Sequence, residues 1–307
     1  MNKRKNEKTI IAICYDFDGT LAKGNMQEYG FMDNLGISPD EFWQKCYDIR
    51  QQFKADKILS YMKCMLDEAK QKNIIFRQED FAKCGQNIAL FKGVVDWFDH
   101  INQYAAKKNF IVQHYLISSG LEEIIIGTPI YNKFHKVFAG KFMYNCYGEA
   151  IWPARSINFT EKTQYLFRIN KGLENWDDNV NAFVPIEERP VPFNKMIYIG
   201  DGETDIPCMS MLKENNGYSI AVYQPYCKKS KNMATKLLNE GRVNFVTFAD
   251  YSAGKPLDRY IKRIIDKLYA DEQLKKLDNL YVIFLTEIWR FFIKLFDCFP
   301  FSFYLKL

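Results

Sequence analysis

Five short runs of apolar, β-branched and aromatic residues set the frame of this chain: Ile10 to Tyr15, Phe110 to Ile117, Met196 to Ile199, Tyr218 to Tyr223 and Val243 to Phe248. They are continuous rather than alternating, so each reads as a strand covered on both faces. Amphipathic helical stretches lie between most of them. Buried strands separated by helices specify an α/β fold with a doubly wound, Rossmann-like parallel sheet. The 307 residues suffice for about two domains and for a core that needs neither disulfide nor metal to fold. With 48% hydrophobic residues and no repeat or low-complexity tract, disorder along the whole chain is excluded.

A crossover between neighbouring parallel strands needs one helix and two loops, yet Asp16 and Phe110 are separated by far more chain than that. The excess has its own helical signals. Ser38-Pro39-Asp40-Glu41 supplies an N-cap, a proline for the first turn and a glutamate three residues on, opening a helix with Phe42, Cys46 and Ile49 on one side. A second helix follows Asp56, with Ile58, Leu59, Met62, Met65, Leu66 and Ala69 at three- and four-residue spacing, and a shorter one spans Gln78 to Cys84. Gly93 then starts the helix that leads into the second strand. The expected organisation is a discontinuous α/β core of residues 1–22 and 92–255, a small helical cap domain at 23–91, and a C-terminal helical extension at 256–307. Lys136 to Ile151 suggests a β-hairpin around Tyr147-Gly148-Glu149, and Gly172 to Phe193 a surface loop.

Charge and cysteine placement exclude several function classes. Forty-two basic against 37 acidic side chains leave a net charge of +5, spread out except at Lys3 to Lys5 and Lys228 to Lys231, so no nucleic-acid partner is expected. Cys46 and Cys64 are the closest of the eight cysteines, too far apart for a CxxC metal or redox pair, and the set reads as reduced thiols of a cytoplasmic protein. The apolar run after the basic Met1 to Lys8 is too short for a signal peptide. Tyr281 to Leu307 is very apolar, but Glu287, Arg290, Lys294 and Asp297 interrupt it before the roughly 20 residues a bilayer demands. On a helix those four form a narrow polar stripe, with Phe284, Ile288, Phe291, Phe292, Leu295 and Phe296 over the rest. Packing on the core or on a second subunit is the favoured reading and attachment to a membrane surface the lesser one. The oligomeric state stays open. His100, His114 and His135 lie outside the motifs below and read as structural.

Asp16-Phe17-Asp18-Gly19-Thr20-Leu21 follows the first apolar run directly. Residues two apart on extended chain share a face, which brings the two carboxylates together with Phe17 turned into the packing. Like charges so placed raise one pKa, letting one group attack while the other moves a proton. A calcium loop is excluded because Leu21 and Gln27 stand where glycine and glutamate are needed. Ser118, backed by Ser119 and Gly120, follows the second strand, where a hydroxyl and backbone N–H groups can receive phosphate oxygens. Lys162 sits in the first turn of a helix that Thr160 caps and Gly172 ends; a cation there opposes the helix dipole and needs an anionic partner, a phosphate or Asp16. Gly200-Asp201-Gly202-Glu203-Thr204-Asp205 follows the third strand, with Asp201 free to turn back over the sheet edge and Asp205 placed to cap the next helix. Asp16, Ser118 and Asp201 each fall just past a strand's carboxyl end, the edge where ligands bind in such sheets. Oxygens of Asp16 and Asp201 and the Asp18 backbone carbonyl can hold one Mg²⁺ there.

Those four motifs, in this order and spacing from about Ile10 to Phe248, resemble the haloacid dehalogenase (HAD) superfamily, and the helical insert and hairpin are similar to its phosphoserine-phosphatase-like branch. The resemblance implies a Mg²⁺-dependent phosphatase with Asp16 as nucleophile and Asp18 as general acid and base. Ser118, Ser119, Gly120 and Lys162 would hold the phosphate, Asp16, Asp18 and Asp201 the metal, and Asp205 would support them from behind. The implied substrate is a small phosphorylated metabolite, with phosphotransfer or a non-catalytic binding role as the alternatives. Asp18 separates the chain from the dehalogenases, which lack that second carboxylate. Phosphoserine phosphatases use a glutamate to grip the substrate amine where Asn25 stands here, and an asparagine in place of Thr204. Phosphoserine is therefore not the expected substrate, and Glu28, Tyr29 and Arg50 become candidates for the leaving-group pocket.

Overall fold

A computed structural model of the chain describes residues 8–297; Lys3 to Lys5 and Cys298 with the apolar segment beyond it lie outside the described residues. The strands are β1 (Thr9–Tyr15), β2 (Phe110–Leu121), β3 (Lys136–Tyr144), β4 (Ala150–Arg155), β5 (Met196–Gly200), β6 (Tyr218–Tyr223) and β7 (Phe245–Phe248). Among the described residues they form one sheet in the order β4-β3-β2-β1-β5-β6-β7. Every pairing is parallel except β3 with β4, the hairpin at one edge.

The helices are α1 (Phe31–Leu35), α2 (Pro39–Phe53), α3 (Lys57–Gln71), α4 (Gln78–Gly85), α5 (Val94–Ala106), α6 (Glu122–Ile126), α7 (Glu161–Lys171), α8 (Ile206–Glu214), α9 (Lys228–Asn239) and α10 (Pro256–Asp297). Alternate residues of the central strands face opposite layers. Ala12, Cys14, Tyr115, Ile117 and Tyr198 pack on Leu166 of α7, Met209 of α8 and Leu237 of α9. Tyr15 points the other way, against Phe98 of α5, with ring centroids 5.8 Å apart. Burial on both faces is what the unbroken apolar runs require.

Chain and sheet order diverge at β1, whose neighbours are β2 on one side and β5 on the other. In register, Tyr15 is level with both Leu116 and Ile199, so these strands end side by side. A crevice at the carboxyl ends of the strands is the usual result where strand order reverses.

The chain between β1 and β2 carries α1 to α5. Ser38 and Asp56 act as the expected caps: Ser38 Oγ accepts the Glu41 N–H at 3.3 Å, and Asp56 Oδ1 accepts those of Ile58 and Leu59 at 2.7 and 3.0 Å. A first compact unit extends to Ile261 and a second begins at Lys262. The second is, as far as described, the continuation of α10; the side chains at 284 and 291–297, and with them Lys294 and Asp297 of the polar stripe and all of its named apolar residues but Ile288, lie outside the described residues. No helix among the described residues is long and apolar enough to cross a membrane.

Candidate active site

Asp16 is the first residue past β1 and is fixed by its own N–H, which donates to the Ile199 carbonyl of β5 at 2.9 Å. Phe17 behind it is fully buried. Lys162 arrives from the first turn of α7, 146 residues away, with no exposed surface at all. Its ammonium donates to Asp16 Oδ1 at 2.8 Å and to Asp205 Oδ1 at 2.7 Å. A buried lysine persists only when paired and hydrogen-bonded, and here two carboxylates satisfy it. They raise its pKa further above the usual lysine range, against the effect of burial.

Asp205 has a full set of partners. Oδ1 also accepts the Tyr198 hydroxyl at 2.7 Å, and Oδ2 accepts the N–H groups of Asp201 and Gly202 at 3.2 Å each. The expectation that Asp205 caps the following helix is corrected here. Its side chain makes no cap bond to α8 and reaches backward instead, closing the Gly200–Asp205 turn. That turn sets Asp201 against Gly19, where a Cβ would lie 2.1 Å from Asp201 Oδ2; Gly19 also holds φ +73°, so glycine is required on both counts.

Asp18 lies beyond the strand, its Oδ1 accepting the Met26 N–H at 2.8 Å. Burial first, and the Asp16 charge second, push the Asp18 carboxyl well above the ordinary range. Asp201 is raised in the same way by burial and then by Asp16 and Asp205. Asp16 is raised only to about 6, by burial and Asp205 against the opposing pull of Lys162. Two adjacent carboxyl groups thus differ in proton affinity, the arrangement that lets one act as a nucleophile and the other as an acid.

Ser118, Ser119 and Gly120 are placed differently from the expected strand-to-helix junction. β2 continues to Leu121, its pairing with β3 shifts register between Ile117 and Leu121, and α6 starts only at Glu122. The three residues therefore form an irregular strand end and not a helix N-terminus. Ser118 Oγ accepts the Gly120 N–H at 3.0 Å, while Ser119 Oγ is buried without a hydrogen-bond partner among the described residues. Thr160 likewise precedes α7 without making a side-chain cap; Glu161 bonds back to the Asn158 N–H at 2.9 Å instead.

A cavity of about 610 Å³ opens over this edge, lined below by Asp16, Asp18, Ser119 and Asp201 and above by Trp43, Arg50 and Tyr61 from α2 and α3. Of the three expected leaving-group residues only Arg50 lines it. Glu28 is turned to Asn25 Nδ2 (2.6 Å) and Trp43 Nε1 (3.0 Å), and the Tyr29 hydroxyl donates to the Lys23 carbonyl. Gln27, which sequence reasoning missed, lines the cavity from the turn Met26–Glu28. Position along the chain gave no sign of it, because the turn that aims it inward depends on Asp18 accepting the Met26 N–H.

The donor set fits a hard divalent cation. Carboxylate oxygens of Asp16, Asp201 and Asp205 lie within 4.8 Å of one another, and Asp201 accepts no hydrogen bond among the described residues. Asp205 is already committed to Lys162, Tyr198 and two N–H groups, which leaves Asp16 and Asp201 as the available carboxylates.

No family model matches the chain. A Borreliella burgdorferi protein described as uncharacterized is 28% identical over 292 residues, covering 85% of this chain and 97% of its own length. Among solved structures, a probable phosphoserine phosphatase from Vibrio cholerae aligns with a TM-score of 0.54 and 9% identity over 86% of this chain and 67% of its own. A HAD family hydrolase from Salmonella enterica serovar Typhi gives 0.51 and 15% over 76% and 66%, respectively. An apo phosphoserine phosphatase gives 0.50 and 14% over 80% and 96%. At such low identities the likeness concerns the backbone, and on it the chain has the Rossmann-like fold of the haloacid dehalogenases, in the form shared with phosphoserine phosphatases.

Proposed function

We propose that this protein is a magnesium-dependent phosphomonoester hydrolase that works through a phosphoryl group carried on Asp16. The observation that carries the reading is the clamp on Asp16: its Oδ1 is held at 2.8 Å by a fully buried lysine, while the residue still lines the cavity beside Asp18 and Asp201. Asp16 attacks phosphorus in line and the bond to the leaving alcohol breaks as Asp18 supplies the proton. Asp18, now ionised, takes a proton from the water that attacks the Asp16 phosphoryl group, releasing phosphate and restoring both side chains. Lys162 offsets phosphoryl charge, and the Ser118 and Ser119 hydroxyls supply hydrogen bonds, the Gly120 N–H staying on Ser118 Oγ. Asp16, Asp201 and the Asp18 carbonyl would hold Mg²⁺, which when bound spreads the negative charge that develops on the phosphoryl oxygens.

The helices α2 to α4 would act as a cap that excludes bulk water and meets the leaving group. The solved structures named phosphoserine phosphatase point to a small phosphorylated substrate. The test is turnover of p-nitrophenyl phosphate. Wild type should hydrolyse it with Mg²⁺, lose activity in EDTA and regain it on Mg²⁺ addition, and Asp16→Asn should lose about 10³-fold or more. Full activity in EDTA or in Asp16→Asn overturns the reading.

A further inference from the structure

Residues 118–120 are the part of β2 that the sheet holds least. Pairing with β1 ends at Tyr15 and Leu116, and pairing with β3 shifts register between Ile117 and Leu121. A bond from the inserted helices reaches the backbone there. Tyr61 of α3 donates its hydroxyl to the Ser119 carbonyl at 2.8 Å, across 58 residues of chain. The tyrosine is 4% exposed, packs edge-on against Trp43 of α2 with ring centroids 6.4 Å apart, and lines the cavity over Asp16. Burial first, and the Asp18 charge second, push the Tyr61 phenol well above its ordinary range, so the hydroxyl keeps the proton it donates.

The same helix is tied to the core near its N-terminus. Asp56 caps α3 through Oδ1, and its Oδ2 accepts a hydrogen bond from the Asn158 side chain, in the segment that leads into α7 and Lys162. Helix α3 therefore bonds to both stretches of the core that the proposed function assigns to phosphate, the strand end with Ser118 and Ser119 and the approach to Lys162. We propose that Tyr61 is a positioning residue for phosphate binding: its hydroxyl holds the Ser119 peptide so that the backbone of 118–120 is in place, and the Asp56–Asn158 bond sets α3 where Tyr61 can reach it. Tyr61 acts through Ser119, and phosphate affinity is coupled to the docking of α3 on the core. This inference rests on the phosphatase reading above.

The test measures the Ki of inorganic phosphate and the KM of p-nitrophenyl phosphate in full-length Tyr61→Phe, which keeps the ring and removes the hydroxyl. Both constants should rise together by about threefold to thirtyfold, the effect of one lost hydrogen bond and a stranded carbonyl. Asn158→Ala, which leaves the Tyr61 hydroxyl in place, should raise both in the same direction. Tyr144→Phe removes another buried-side hydroxyl, bonded to Glu123 Oε1 at 3.0 Å, and should change neither. Neither constant depends on how much of the sample is folded, so the comparison separates positioning from stability. Unchanged constants in Tyr61→Phe or Asn158→Ala, a KM that rises while the phosphate Ki stays, or an equal rise in Tyr144→Phe overturns the positioning role and leaves the phosphatase reading intact. Absence of wild-type turnover of p-nitrophenyl phosphate with Mg²⁺ overturns the phosphatase reading and this inference with it.

Discussion

Lys162 and His114 show how burial turns single side chains into points of dependence. Lys162 is the ammonium bonded to both Asp16 and Asp205, and its removal strands two buried charges. Lys162→Met should lower the stability of the metal-free protein by about 3–5 kcal/mol in urea denaturation and remove aryl phosphatase activity; an unchanged midpoint would contradict the ion pair's role. His114 sits in a buried chain in which Trp97 Nε1 donates to the Tyr15 hydroxyl at 2.9 Å, and Tyr15 in turn bonds His114 Nδ1 at 2.9 Å. Nε2 faces Asn102 Oδ1 at 3.2 Å, which suits the neutral ring with its proton on Nε2. Burial lowers this pKa to about 3. The unfolded chain takes up a proton below about pH 6.5 and the folded chain does not, so stability is full above that pH. It falls by up to roughly 1.4 kcal/mol per unit as pH drops towards 3. Denaturation at pH 7.5, 6.5 and 5.5 should show a shallower decline in His114→Phe than in wild type, and parallel declines would count against the assignment.

Helices α4 and α6 cross almost in backbone contact. A Cβ on Gly127 would lie 1.7 Å from the Ala82 carbonyl oxygen, and one on Gly85 would lie 1.9 Å from that of Ile124. This crossing joins the insert to the strand end that carries Ser118 and Ser119. Gly127→Ala should force the helices apart and cost about 1–3 kcal/mol, read as a lower thermal midpoint; an unchanged midpoint would mean the contact is easily relaxed. Elements whose causes are local were legible from the sequence. Ser38 and Asp56 announce α2 and α3 because a cap acts within three residues, and Gly172 ends α7 in the left-handed conformation that glycine favours. Features whose causes lie elsewhere in the chain were not. The irregular end of β2 depends on β3, and the backward reach of Asp205 depends on Lys162 and Tyr198. Gln27 enters the sequence reading only as a residue that breaks a calcium-loop pattern.

At the scale of the whole molecule, the sheet order places β1 between β2 and β5, and that one topological fact collects Asp16, Ser119 and Asp201 around one cavity. The acidic cluster was legible because each member follows an apolar run directly, and parallel strands covered on both faces end on a common edge. Its polarity was not: which carboxyl carries the proton follows from burial and mutual repulsion that only the assembled site creates. The central claim is that Asp16 carries the phosphoryl group during turnover. Acid quenching of the protein during hydrolysis of a phosphomonoester, followed by peptide mass mapping, tests it most directly. The account predicts one phosphoryl group on Asp16, absent in Asp16→Asn; turnover with the label on another residue, or with no covalent label under conditions that trap acyl phosphates, would contradict it.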